Sequence, residues 1–371
     1  MIILILLFLS ACFLGYSNGA NDNFKGVATL FGSGTTSYKK AISWATATTF
    51  LGSVAAIFLA NELVKNFSGK GLVPNELITM PIFAISIASG AALTVFIATK
   101  IGMPISTTHS LVGGLFGAGV MAVGSQFNFE KLGSTFLMPL IVSPLMAAIA
   151  SFFAYLIFRF FREKLGITKK THLHIHEKQT PDIASLNMDH ATLKTKTTME
   201  ATVNNKVNTY EGEILGLSSQ KVLDALHYLS AGIVSFARGL NDTPKIVGLL
   251  LIINVIDIKL SMIIVAIIMA AGGLINAKKV GVTMSKKITP MNSGQGFTAN
   301  LITGLLVTTA SVHGLPVSTT HVSVGSIFGI GTVTKKADYK MIGKILLSWL
   351  LTLPIAAIIS ALIFKLLETF S

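Results

Sequence analysis

The sequence predicts an all-α polytopic membrane protein, built as an inverted-topology repeat of ten to twelve transmembrane helices with broken or half helices at the midplane. Three observations carry this. Of 371 residues, 51% are hydrophobic and 12% charged, with a mean hydropathy of +0.70, where a soluble domain is about a quarter charged. Apolar runs long enough to cross a bilayer recur along most of the chain. Finally, "GMPISTTH" at 102–109 returns as "GLPVSTTH" at 314–321, about 212 residues later, and "GANDNFKG" at 19–26 returns as "GLNDTPKI" at 239–246.

Spans are expected near 2–18, 41–60, 78–99, 104–123 and 134–161, then near 222–256, 260–277, 296–313, 315–332 and 343–367. "LSAC" at 9–12 resembles a lipoprotein cleavage site, but residues 1–10 hold no Lys or Arg, so 1–18 is read as a retained first span. With the N-terminus outside, the inner segments hold Lys39, Lys40, Arg162, Lys164, Lys169, Lys170, Lys278, Lys279, Lys286, Lys287, Lys335, Lys336 and Lys340. The outer segments hold Lys65, Lys70, Lys131 and Lys259. Basic residues collect on the cytoplasmic side, so both termini are placed outside and the central linker in the cytoplasm. The same rule accounts for the net charge of +13 without a nucleic-acid partner. Cys12 is the single cysteine, so no intrachain disulfide forms.

Three units follow: an N-terminal transmembrane repeat at 1–161, a polar linker at 162–220 and a C-terminal inverted repeat at 221–371. Five crossings in the first unit make the second enter from the opposite face, as in many secondary transporters. Residues 171–213 are rich in Thr, Asn and Lys and read as a flexible loop. "HLHIH" (His172, His174, His176) lacks companion Cys or carboxylate ligands and reads as part of that loop.

The doubled phrases place polar groups where they are costly. An Asp at bilayer depth needs a cavity or a partner. Asn21–Asp22 and Asn241–Asp242 are therefore read as breaks in their helices, with unwound backbone facing a cavity. Lys25 and Lys245, three residues on, and Arg238 neutralise these carboxylates or attract an anion. Pro104 and Pro316 suit a first helical turn, which puts Ser106, Thr107 and Thr108, and Ser318, Thr319 and Thr320, at helix starts. Free backbone N–H groups and the helix dipole there favour an oxyanion. Asp22 and Asp242, with Asn21 and Asn241, supply hard oxygens suited to sodium. A nearby carboxylate also accepts the P–OH of hydrogen phosphate, which sulfate lacks. Gly113, Gly117 and Gly119, matched by Gly325, Gly329 and Gly331, read as helix-packing positions. His109 and His321 read as groups that hold the fold around the site.

The paired "GAND…K" and "P-x-STTH" motifs, one of each per half around a polar loop, resemble the inorganic phosphate transporter (PiT) family over about 1–161 and 222–371. The resemblance implies phosphate import coupled to sodium or protons, an inverted-repeat fold and a homodimer. It implies phosphate at Ser106, Thr107, Thr108, Ser318, Thr319 and Thr320, with Asn21 and Asn241, and cation coupling through Asn21, Asp22, Asn241 and Asp242. Beyond Gly-x-Asn-Asp, the match to the family's "GANDVANA" is partial. The expectation is a sodium-coupled phosphate importer of the cytoplasmic membrane, not an enzyme, needing no cofactor. Proton coupling, or another oxyanion such as sulfate, is the alternative.

Overall fold

The computed structural model describes residues 2–177, 201–214, 216–251 and 257–370. Ten long helices organise it among the described residues: α1 (Ile2–Asp22), α2 (Tyr38–Leu59), α3 (Pro81–Ile101), α4 (Thr107–Val123), α5 (Met138–Lys164), α6 (Ser219–Val247), α7 (Ile258–Asn276), α8 (Ser293–Val312), α9 (Thr319–Val333) and α10 (Tyr339–Glu368). Each matches one expected span, except that 252–256, the end of the sixth, lies outside the described residues. Side-chain caps fix many of the starts. Ser37, Ser106, Asp257, Ser318 and Asp338 each accept a backbone N–H from the first turn they precede. Asn292 and Gln295 form a reciprocal capping box at α8.

α3–α4 and α8–α9 form helical hairpins. Gly102 (φ 75°) and Gly314 (φ 70°) end α3 and α8 in the left-handed conformation, and Met103 N and Leu315 N reach back to Ala98 O and Ala310 O. α4 has 17 residues and α9 has 15. At 1.5 Å per residue both fall short of the roughly 30 Å hydrocarbon core. The open ends of each hairpin lie together: Asn128 N donates to Leu72 O at 2.8 Å, and Asp338 N to Ile288 O at 3.2 Å. The tips meet at the centre of the bundle, where Thr320 Oγ1 donates to Ile105 O at 3.1 Å and Thr108 Oγ1 to Val317 O at 3.3 Å.

The helices pack in two corresponding sets. α1 lies against α3 and α7, as α6 lies against α8 and α2; α4 packs on α10, as α9 packs on α5. Close backbone approach requires glycine at the crossings. A Cβ on Gly117 would stand 2.0 Å from Ala357 O, and one on Gly329 2.2 Å from Ala148 O.

The molecule is apolar outside, and its largely apolar core encloses a cluster of buried polar and charged side chains. On α5, Met138, Ile141, Leu145, Ile149, Phe153 and Ile157 form an exposed stripe at helical spacing. On α10, Leu347, Leu350, Ile358, Leu362 and Leu366 are likewise exposed. Surfaces of this kind meet lipid or another chain. Among the described residues, six helical stretches, α2, α3, α7 and α10 included, are long and apolar enough to cross a membrane.

Two features of the linker and of α6 differ from expectation. The fold is mostly helical, but the linker carries an antiparallel ladder of β1 (Thr168–Glu177) and β2 (Ala201–Glu211), so it is not purely α. The Thr and Val residues of the ladder suit a strand, whereas its Asn residues do not, and the end at Thr168 and Glu211 is anchored. Tyr210 is buried and donates its hydroxyl to Asn292 Oδ1 at 2.9 Å, at the N-cap of α8. Burial pushes its pKa up to about 12. His172, His174 and His176 fall within β1, but their side chains, like residues 178–200, lie outside the described residues.

The second difference is at Asn241–Asp242, where no break occurs. α6 runs through Asn241, Asp242 and Pro244 to Val247 before a 3₁₀ turn at Gly248–Leu250. The polar side chains find partners sideways, so the backbone has no need to unwind. In the first half α1 does end at Asp22, followed by a 3₁₀ turn at Lys25–Val27 and a short helix at Ala28–Gly32.

Candidate ion-binding site

The hairpin tips close over a buried cluster of five charged side chains. α1 ends on Asp22, and one turn later Lys25 points back into the same space. α6 contributes Arg238, Asp242 and Lys245. All five are at most 4% exposed.

Lys25 Nζ meets Asp22 Oδ1 at 2.5 Å, Ile105 O at 2.7 Å and Thr320 Oγ1 at 2.7 Å. Lys245 repeats this with the other hairpin. Its Nζ donates to Val317 O and Thr108 Oγ1, both at 2.7 Å, and lies 3.5 Å from Asp242 Oδ1. Each lysine thus ties its own carboxylate to the tips of both hairpins. Arg238 Nε lies 3.6 Å from Asp242 Oδ2, and its terminal nitrogens donate to Asn18 Oδ1, Asn23 Oδ1 and Thr49 Oγ1. Asn18 joins the halves: its Nδ2 lies 3.3 Å from Asp22 Oδ2, 3.1 Å from Thr107 Oγ1 and 3.2 Å from Asp242 Oδ2. Thr107 Oγ1 donates to Asp22 Oδ2 at 3.2 Å.

With three cations and two carboxylates, the cluster carries one formal positive charge in excess. Unpaired charge is expensive away from water. A site of this balance is therefore suited to an added anion, with the starts of α4 and α9 aimed at the same place.

The expected site residues separate into two groups. Asp22, Asp242, Thr107, Thr108 and Thr320 come together in the cluster, and Thr319 is buried in the first turn of α9. Ser106 and Ser318 do not sit inside the first turn. They are the N-caps, because Pro104 and Pro316 lie two residues earlier in extended chain, and their hydroxyls accept from His109 N at 3.1 Å and His321 N at 3.3 Å. Asn21 and Asn241 brace the tips. Asn21 Nδ2 donates to Thr99 Oγ1 and Met103 O while its Oδ1 accepts from Ile105 N. Asn241 Nδ2 donates to Val317 O, and Ser311 Oγ donates to Asn241 Oδ1. His109 and His321 stand ring to ring, 4.3 Å between centroids, with His321 stacked on Trp349.

Ser106→Ala and Ser318→Ala are therefore expected to cost about 1 kcal/mol each through loss of a cap. Thermal unfolding in detergent measures this, with bound-anion affinity changing far less than in a Thr107 variant.

Sequence reading missed Asn18. The signal was available: Asn18 stands four residues before Asp22, as Arg238 stands four before Asp242. The two halves place different residues at equivalent positions, and these two bond each other at 2.7 Å.

Comparisons with known proteins give the family of the chain. A protein from Pyrococcus abyssi that carries the name phosphate permease is 28% identical, over 95% of both chains. One from Haemophilus influenzae with the same name is 28% identical, over 96% of this chain and 94% of its own. A solved structure titled "The sodium-dependent phosphate transporter" shares the fold, with a TM-score of 0.77, 23% identity and complete coverage of both chains. The sequence model of the phosphate transporter family matches residues 18–360. The chain belongs to the phosphate transporter family and is a membrane transporter, not an enzyme.

Proposed function

We propose that the chain is a secondary active transporter that imports inorganic phosphate with sodium by alternating access. The observation that carries this reading is the meeting of two hairpin tips over a buried cluster with excess positive charge. Phosphate sits between the starts of α4 and α9, held by Thr107, Thr108, Thr319 and Thr320, with the capped turns at Ser106 and Ser318 orienting backbone N–H groups. Asn21 and Asn241 hold the tips in register. Sodium, as co-transported substrate, takes oxygens of Asp22 and Asp242.

The lysine positions suggest how the two ions couple. Lys25 and Lys245 stand between threonine hydroxyls and carboxylates. An entering phosphate draws both ammonium groups toward itself and loosens their hold on Asp22 and Asp242. Carboxylate oxygens are then open to sodium, and each ion offsets the desolvation of the other. Residues 1–161 and 221–371 act as inverted repeats, with each hairpin re-entrant from its own side, and they rock about the cluster. The chain lies in the cytoplasmic membrane as a homodimer, both termini outside and the 162–220 linker in the cytoplasm.

One observation favours a second reading, proton coupling: both carboxylates already lie beside ammonium groups, so a proton needs less rearrangement than a metal ion. Uptake of labelled phosphate into proteoliposomes under an inward sodium gradient, an inward proton gradient or neither separates the two. Accumulation with sodium alone is expected, without competition by sulfate. Thr107→Ala is expected to slow that uptake about tenfold or more, since a hydrogen bond to a charged group contributes about 1.5–3 kcal/mol. An unchanged rate removes Thr107 from the site.

A further inference from the structure

We propose that the groove formed by the C-terminal end of α5, the end of β2 and the start of α8 binds an anionic phospholipid. Its phosphodiester lies against Arg159, Arg162 and Lys169, and an acyl chain runs along Phe158, Leu165 and Phe297.

Two independent features meet here. The first is the groove, a cavity of about 170 Å³ whose walls include Phe158, Phe161, Leu165, Ile214 and Phe297. Phe161 and Leu165 are exposed. They continue, at the end of α5, the exposed apolar stripe from Met138 to Ile157. The second is the charge at the mouth. Arg159, Arg162, Lys169 and Lys336 gather around Glu163, and the neighbouring Lys170–Glu211 pair is neutral. Glu163 accepts from Arg159 Nε at 2.9 Å and from Arg162 at 2.8 Å, which leaves three positive charges in excess. The Arg162 Nε is buried without a hydrogen-bond partner. Partial burial, and then the positive charges of Lys336, Arg162 and Arg159, push the Lys169 pKa down. This is repulsion that a bound anion would relieve.

The general excess of basic residues on one face explains charge in the loops. It does not explain cations gathered at the mouth of an apolar groove. A free anion has no use for the groove, and a zwitterionic lipid has little use for the charge. Lipid tails are as apolar as the groove, so the groove selects for shape and the basic mouth selects the headgroup. The inference rests on α5 lying in a membrane, and not on which ion is transported. It also gives the lipid a role in the fold. Gly294 and Phe297 belong to the first turns of α8, and Tyr210 bridges the groove to the α8 cap, so an occupant braces the second hairpin.

The test is native mass spectrometry of the full chain released from mixed micelles with phosphatidylglycerol or phosphatidylcholine, with and without excess inorganic phosphate. The expected result is preferential retention of phosphatidylglycerol that inorganic phosphate does not displace. The double variant Arg159→Gln/Lys169→Gln should weaken that retention about 25-fold, at about fivefold per basic residue. Lys39→Gln/Lys40→Gln, which removes two cations elsewhere, should leave it unchanged. Both side chains in the first pair are exposed, and a retained unfolding temperature shows that the fold is intact. Equal retention of the two lipids, retention unaffected by the first pair, or release by inorganic phosphate overturns the proposal. Phosphate uptake is read separately and does not decide it.

Discussion

Asp22→Asn is expected to abolish phosphate uptake and to lower the unfolding temperature. The carboxylate receives Lys25, Thr107 and Asn18. An amide in its place leaves the Lys25 ammonium buried beside a neutral group. Removing one partner of a buried ion pair costs about 3–5 kcal/mol. A companion variant separates stability from function. Asp22→Asn/Lys25→Met removes both charges and should recover most of the lost stability, while remaining inactive because Asp22 no longer offers a carboxylate to sodium and Lys25 no longer couples it to phosphate. Proteoliposome uptake and thermal unfolding, measured on both variants, check the pair. Wild-type transport by either variant would remove the Asp22–Lys25 pair from the transport site.

Gly117→Ala and Gly329→Ala should each destabilise the protein by about 1–3 kcal/mol or more, with a matching loss of uptake. Each new methyl would stand within about 2 Å of a carbonyl oxygen, Ala357 O or Ala148 O, that belongs to a helix backbone and cannot rotate away. α4 would have to move off α10, or α9 off α5, and the helix starts carried by α4 and α9 would move with them. Gly343→Ala is the control. It lies in α10 with nothing within 4 Å of the added methyl, and should gain up to about 1 kcal/mol from chain entropy. Thermal unfolding across the three variants checks this. If Gly117→Ala and Gly343→Ala behave alike, the close packing of α4 on α10 is not what holds the hairpin in place.

Local chemistry left clear marks in the chain. Apolar runs located all ten long helices, because a segment facing lipid must hide its backbone polar groups in its own hydrogen bonds. The duplicated Gly-x-Asn-Asp and Ser-Thr-Thr-His phrases located the charged cluster, since polar groups at that depth persist only where they have partners. Pro104 and Pro316 misled by three residues, since the helices begin at Thr107 and Thr319. Proline marks the approach to a helix start, but the capping oxygen sets the start itself, and the serine two residues after each proline supplies it.

Other features depend on pairing across long stretches of sequence. That α3–α4 and α8–α9 return as hairpins is not visible in hydropathy, because a run of 17 apolar residues reads the same whether it crosses or doubles back. The contacts at Asn128–Leu72 and Ile288–Asp338 decide it. The continuity of α6 through Asn241 and Asp242 likewise depends on partners elsewhere: Val317 O, Ser311 and Arg238 occupy side chains that would otherwise compete for the backbone. The linker strand β2 gains its anchor from Asn292, 82 residues beyond Tyr210. Composition and short motifs thus established a doubled membrane chain with paired polar sites, because those depend on solvent and on near neighbours. Which oxygens meet in the charged cluster, which cap a helix and which only brace a loop was decided by the packing of one half against the other.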